Sequence, residues 1–206
     1  MTAKYIAIEG IDGSGKSTLL RNLKQSGQFK DCIFTQEPYC RTYRLLIQNT
    51  TDPMEKAALF VADRWKHLNE VVYPALEQGK HVISDRSYIS NIAYQVAEKP
   101  DMEDYIWDIQ PPKIPITKVI FLNVTPPLAL ERIQNRGTDT ESPDWLDKVW
   151  FEYIKILKGD VRMVMIKPNS EDEITRQVVE IIREHLQEPD PVAVKDDSDG
   201  FDPFVV

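Results

Sequence analysis

The chain has 206 residues, 42% hydrophobic and 28% charged, with a formal net charge of −8. That is enough chain for one domain with a substantial core. The acidic balance excludes a basic nucleic-acid groove, and no apolar run reaches membrane-spanning length.

Residues 4–8 form a short apolar run, read as the first strand. The N-terminus enters that strand directly, without a signal-peptide pattern. Cys32 and Cys40 are read as free thiols, so the expected compartment is the cytoplasm. Directly after the first strand comes Gly10-Ile11-Asp12-Gly13-Ser14-Gly15-Lys16-Ser17, which fits G-x-x-x-x-G-K-[ST] at every fixed position. A helix-compatible run, residues 16–26, follows. Strand, loop and helix in this order make a phosphate-binding loop. Glycines let backbone N–H groups converge on an anion, and the helix N-terminus adds partial positive charge. Gly10, Gly13, Ser14, Gly15, Lys16, Ser17 and Thr18 would hold the triphosphate of ATP. Lys16 would reach its β- and γ-phosphates, and the Ser17 hydroxyl would ligate Mg²⁺.

The remaining strands are expected at residues 31–35, 81–84, 118–124 and 162–167. Helices are expected at 42–48, 54–78, 88–98, 102–109, 127–136, 144–157 and 171–186. Asp52-Pro53 reads as a helix cap followed by an N1 proline, and Ser170 with Glu173 as a capping box. Gly79 closes the long helix. Alternating strands and helices predict right-handed βαβ crossovers and a five-stranded parallel sheet flanked by helices.

Two further stretches carry chemistry. In Leu59 to His67, Phe60 and Arg64 are four residues apart and share a helix face. A ring and a guanidinium so placed would stack a base and hydrogen-bond its edge; equally, Phe60 would pack in the core with Arg64 snorkelling. In Val82 to Gln95, a strand ends in Asp85-Arg86 and a helix begins. Ligands in open α/β sheets sit at the carboxyl ends of strands. Asp85 is therefore placed for Mg²⁺ and Arg86 for a phosphate, which suits its planar two-pronged donor.

Together these residues resemble the thymidylate kinase family. The resemblance rests on the phosphate loop, Glu37-Pro38 after the second strand, LFVADRWKH, and Asp85-Arg86 with Ser90 and Ala93-Tyr94-Gln95. Leu130-Glu131-Arg132 ahead of a basic lid completes it. It covers about residues 3–186 and implies a phosphate-loop kinase of one domain, residues 1–187, with a lid near 136–144. The implied reaction is transfer of the γ-phosphoryl of ATP to dTMP, with Mg²⁺, in a homodimer. It implies that Phe60 stacks on thymine, that Arg64 bonds its edge and that Arg86 holds the acceptor phosphate. Ser90 or Asn91, with Gln95, would lie near the base, and Tyr94 would crowd the sugar 2′ position. Asp12 would face the sugar 3′-hydroxyl, directly or through Mg²⁺. Glu37, Arg41 and Arg44 would lie on the acceptor side, the arginines as phosphate contacts.

The chain departs from the family's pattern in two places. Tyr39-Cys40-Arg41 stands where a Gly-Gly-Thr run is usual, and Gln36 replaces an arginine. In the lid, Thr140 stands where the catalytic arginine is expected, and Trp150 replaces a second arginine ahead of Tyr153. Arg132, Arg136 and Lys148 remain as candidate lid cations, with Arg136 preferred because it borders Gly137. Two other readings share the residues. One is a kinase for a deoxynucleoside, with Glu37 as general base, or for a different deoxynucleoside monophosphate; the other is a nucleotide-binding module that has lost turnover with its lid. Residues 188–206 are expected to be a disordered acidic tail, either solubilising or docking a protein partner through Phe201 and Phe204.

Overall fold

The computed structural model describes residues 2–137 and 141–188. Five parallel strands form one sheet: β1 (Tyr5–Glu9), β2 (Ile33–Gln36), β3 (Val82–Asp85), β4 (Ile116–Leu122) and β5 (Met163–Ile166). Their spatial order is β2-β3-β1-β4-β5, with every neighbouring pair parallel. The central strand β1 is buried throughout because both faces of the sheet are covered. On β1, Tyr5 and Ala7 join one core cluster, while Ile6 and Ile8 join the other. Val119 and Phe121 against Ile120 and Leu122 repeat the alternation on β4.

Helices α1 (Lys16–Gln25) and α9 (Glu171–Gln187) cover the face that carries Ile6 and Ile8. The opposite face is covered by α5 (Tyr88–Glu98), α7 (Pro126–Arg136) and α8 (Pro143–Leu157), among others. The chain leaves β1 toward β2 and leaves β4 toward β5, so the winding direction reverses between adjacent strands β1 and β4. That switch point is where a ligand crevice opens at the strands' carboxyl ends.

The five expected strands and the fold class are present. One long helix over 54–78 is not. α3 (Pro53–His67) runs into a π-helical turn, Leu68–Val72, before α4 (Tyr73–Glu77). Pro74 explains the interruption. It has no N–H for the carbonyl of Glu70, and its ring crowds that oxygen. The wider turn shifts the pattern, with the Tyr73 N–H bonding to the Leu68 carbonyl. The remaining helices, α2 (Arg41–Asn49) and α6 (Glu103–Asp108), are short.

Asp52 caps α3 as expected, accepting from the N–H groups of Met54 and Glu55. The capping box at Ser170 is half formed. Ser170 Oγ accepts from the Glu173 N–H, but the Glu173 carboxylate is taken by Arg176 and Gln177. Gly79 ends α4 in the left-handed region, as its position suggested. Thr140 and the tail beyond Glu188 lie outside the described residues, so the expectations for the lid's tip, Phe201 and Phe204 go no further.

Candidate active site

The loop between β1 and α1 is shaped by its glycines. Gly13 has φ of 80°, and a Cβ there would stand 2.4 Å from the carbonyl oxygen of Ala129 on α7. No side chain fits, so the loop can lie directly on α7 only with glycine at this position. Gly15, at φ of 100°, is the N-cap residue of α1 and turns the chain into the helix. The first-turn N–H groups of α1 thus open on a cavity of about 370 Å³. Gly13, Ser14, Gly15, Thr18, Arg132, Arg136 and Asn169 are among its lining residues. Ser17 is exposed in that first turn.

Lys16 folds back onto its own loop. Its Nζ donates to the carbonyl oxygens of Gly10 at 2.8 Å and Ile11 at 3.0 Å. Burial and the neighbouring Arg86 charge lower its pKa to about 8. Asp85 ends β3 with one carboxylate oxygen, Oδ1, buried and without a partner among the described residues. Among the described residues no group of three or more His, Cys, Asp or Glu side chains converges as a metal site. An oxygen-seeking cation held by Ser17 and Asp85 and completed by phosphate oxygens fits that pattern, which is the usual one for Mg²⁺.

A second cavity of about 380 Å³ lies between α3 and α5, beside Arg86. Phe60, Arg64, Arg86, Ser90, Asn91, Tyr94 and Gln95 all line it. The structure therefore brings together the two separate stretches that sequence spacing singled out. Trp145, at the start of α8, also lines this cavity and meets the Tyr94 ring edge-on. No motif marked it.

Arg86 links the phosphate loop to this second cavity. Its Nη2 donates to Asp12 Oδ1 at 2.5 Å, and its guanidinium lies over the Tyr94 ring. Tyr94 donates its hydroxyl to the other oxygen of Asp12 at 2.8 Å. Burial opposes ionisation of Asp12, but Arg86 and Lys16 outweigh it and hold the carboxyl below its usual range. Arg86 has φ of 70°, a left-handed conformation that costs about 1–3 kcal/mol in a non-glycine residue. Two bonds hold it there: its N–H to the Ile8 carbonyl, and its carbonyl from the Ser84 hydroxyl.

Behind Arg86 stands Glu9, fully buried and not singled out by any motif. It accepts from the hydroxyls of Ser87 at 2.7 Å, Ser90 at 2.6 Å and Tyr153 at 2.9 Å. Burial nevertheless raises its pKa. A charge closing an otherwise apolar strand, just before the glycine loop, was the available signal. Ser90 and Tyr153 in turn accept from Arg86, so Glu9 holds the hydroxyls that position the guanidinium.

Three expectations on the acceptor side change. Arg64 does not snorkel: it is 1% exposed and paired in the interior. Glu37 lines the cavity, but its carboxylate is engaged in the interior and is not set up as a base. Its Oε2 accepts from Arg64 Nε and Nη2 at 2.9 and 2.8 Å, and its Oε1 faces His67 Nδ1 at 3.2 Å. Burial would raise its pKa, but the Arg64 charge and the His67 contact prevail and lower it. Arg41 and Arg44 do not line the cavity. Arg41 is exposed at the start of α2, and Arg44 donates to the Pro38 carbonyl at 2.8 Å. The turn after Glu37-Pro38 is held by Asp63, which accepts from the N–H groups of Tyr39 and Cys40.

A family model described as Thymidylate kinase matches residues 8–179. The chain belongs to the thymidylate kinase family. Among its relatives, a protein named probable thymidylate kinase from Methanococcoides burtonii is 36% identical over 88% of this chain and 97% of its own length. Proteins of the same name from Methanocorpusculum labreanum and Methanosarcina mazei are 35% and 33% identical, covering 85% and 91% of this chain. For this thymidylate kinase family member the phosphate loop, Arg86 and the helix of Phe60 and Arg64 all fall inside the matched span. So do Arg132 and Arg136. Arg132 Nη1 sits 3.4 Å from the carbonyl oxygens of Gly13 and Ser14, whereas Arg136 is exposed and donates its Nε to the Arg132 carbonyl.

Proposed function

We propose that the protein is an ATP-dependent thymidylate kinase, moving the γ-phosphoryl of ATP onto dTMP to give dTDP and ADP. The observation that carries this reading is the Arg86–Asp12 pair. It joins a loop suited to donor phosphates to a second cavity that has a cation at its inner edge and an aromatic and polar far end. In support, two side-chain atoms of cavity-lining residues, Asn91 Nδ2 and Gln95 Oε1, are buried without partners among the described residues. Unmet hydrogen-bonding capacity of this kind favours a polar ligand.

The donor phosphates lie along Gly10 to Thr18, and the acceptor monophosphate on Arg86. Phe60 stacks on the thymine, and Arg64 bonds its edge. Tyr94, held by Asp12, occupies the space a ribose 2′-hydroxyl would need. An acceptor phosphate is already anionic at neutral pH, so no strong general base is required. The bond from the γ-phosphorus to its bridging oxygen breaks as a bond to an acceptor phosphate oxygen forms. Repulsion between two polyanions is the obstacle, and Lys16, Arg86 and Arg136 offset it. Ser17 and Asp85 would hold Mg²⁺, which would supply further charge neutralisation.

Lys16 must leave the loop carbonyls to meet the donor, exchanging neutral acceptors for phosphate oxygens. Arg136 is the lid cation in this scheme, because its guanidinium is not held against the loop as that of Arg132 is. Arg136→Ala is expected to lower kcat by about 10²-fold. Arg132→Ala is expected chiefly to raise the KM for ATP. Steady-state kinetics with ATP varied checks both; the reverse ranking would move the lid role to Arg132.

The protein acts in the cytoplasm as a homodimer in this reading. Among the described residues no helix is long and apolar enough to cross a membrane. Leu45 and Leu46 on α2 and Met54 and Trp65 on α3 are large apolar residues left exposed, which a second copy would cover. The test of function is ADP release with ATP, Mg²⁺ and a panel of nucleosides and monophosphates, with Lys16→Ala as the blank. Turnover of dTMP above that of the other acceptors is expected. Use of thymidine without use of dTMP would overturn the reading.

A further inference from the structure

A guanidinium only donates hydrogen bonds, and a backbone carbonyl only accepts them. Gln110, in the loop after α6, stands between one of each. Its Oε1 accepts from Arg64 Nη1 at 2.6 Å, and its Nε2 donates to the Ile106 carbonyl at 2.7 Å. These two partners leave the amide a single orientation. The second Nε2 hydrogen then goes to Asn91 Oδ1 at 3.2 Å, which also faces Arg64 Nη1 at 3.4 Å. Two donors on that oxygen fix the Asn91 amide in turn.

The same contacts leave Arg64 little freedom. Glu37 takes its Nε and one Nη2 hydrogen, while Gln110 and Asn91 take both Nη1 hydrogens. Among the described residues, one of its five N–H groups, on Nη2, is left for anything that enters the cavity. That group cannot rotate away, and it cannot accept.

We propose that Gln110 is a positioning residue that determines base specificity in the acceptor site. By holding Arg64 and Asn91 in one polarity, it makes the site accept a pyrimidine with an oxo group at the edge facing Arg64 and reject one with an amino group there. An amino group would meet a donor with a donor, and the locked amides offer no rearrangement to relieve it. Gln110 does not line the cavity itself, so it acts entirely through Arg64 and Asn91. This inference rests on the nucleoside monophosphate acceptor proposed above.

The test compares wild type with Gln110→Met, similar in size but without either hydrogen bond. Gln110→Glu keeps an acceptor for Arg64 but cannot donate to Ile106 or Asn91. kcat/KM is measured for dTMP, dUMP and dCMP at fixed ATP, with a thermal unfolding scan to confirm a folded protein. The expected result for Gln110→Met is a fall of about tenfold or more in the dTMP:dCMP ratio, with the dTMP:dUMP ratio unchanged. Thymine and uracil share their oxo groups and differ by a methyl, so that second ratio reads packing alone. Gln110→Glu is expected to fall between wild type and Gln110→Met. A parallel loss on all three acceptors, with the dTMP:dCMP ratio kept, would reduce Gln110 to packing and overturn the proposal while leaving the thymidylate kinase reading intact. A wild-type protein that uses none of the three would overturn that reading, and this proposal with it.

Discussion

Replacing Arg86 with alanine is expected to lower kcat/KM for dTMP by about 10³-fold while the protein stays folded. Several contacts converge on this one side chain. It lies between the phosphate loop and the acceptor cavity, pairs with Asp12, stacks on Tyr94 and is oriented by hydroxyls that Glu9 holds. Alanine removes the cation at the point where two polyanionic substrates meet. It also frees Asp12, whose negative charge then adds to the repulsion. Arg86→Lys restores the charge but not the two-pronged donor, so it should recover only part of the loss. Asp12 is partly exposed and can be hydrated once its partner is gone, so a large fall in stability is not expected. ADP release with dTMP varied, beside thermal unfolding of both variants, checks this. Near-normal turnover in Arg86→Ala would remove the residue from the mechanism.

The largest effect on stability is expected at Glu37. Arg64 is 1% exposed, and Glu37 is the only carboxylate bonded to its guanidinium among the described residues. Glu37→Ala leaves that charge buried with only the neutral oxygens of Gln110 and Asn91 beside it. Breaking a buried pair from one side costs about 3–5 kcal/mol. Glu37→Gln keeps one acceptor and should cost less. Urea unfolding followed by circular dichroism reads both, and an Ala variant within ~1 kcal/mol of wild type would show the pair to be dispensable. The pH dependence has a definite sign. The folded pKa of Glu37 is lowered from its ordinary 4.5, so the stability it contributes is present above about pH 4.5. That contribution is lost as the pH falls through the lowered folded value. Wild type should therefore lose stability in acid more steeply than Glu37→Gln.

The same residue shows how reading a sequence goes astray. Glu37 follows a strand end beside a cavity, where a base or a ligand contact is a fair expectation. In the fold its carboxylate is already occupied by Arg64 and His67, partners 27 and 30 residues away. Local spacing cannot register such a claim on a side chain. Arg41 and Arg44 stand outside the cavity's lining for a related reason. Their charge suited a phosphate, but the turn before them is held by Asp63 on a different helix. Glu9, Gln110, Tyr153 and Trp145 were passed over because each acts through contacts made by other elements.

What the amino-acid sequence determined by itself was whatever depends on short-range pattern. The glycine spacing of the phosphate loop, the two-sided apolar strands, the Asp52 cap and the Phe60–Arg64 face all follow from neighbours within a few residues. Those features suffice for the fold class and for the phosphate loop with Lys16 and Ser17. The tertiary structure alone decided which polar groups are already satisfied. It turned Lys16 onto its own loop, committed Glu37 to Arg64, tied Asp12 to Arg86 and put Gln110 behind the base-reading arginine. Hydrogen-bond partnership inside a low-dielectric interior depends on distance in space and leaves little trace in spacing along the chain.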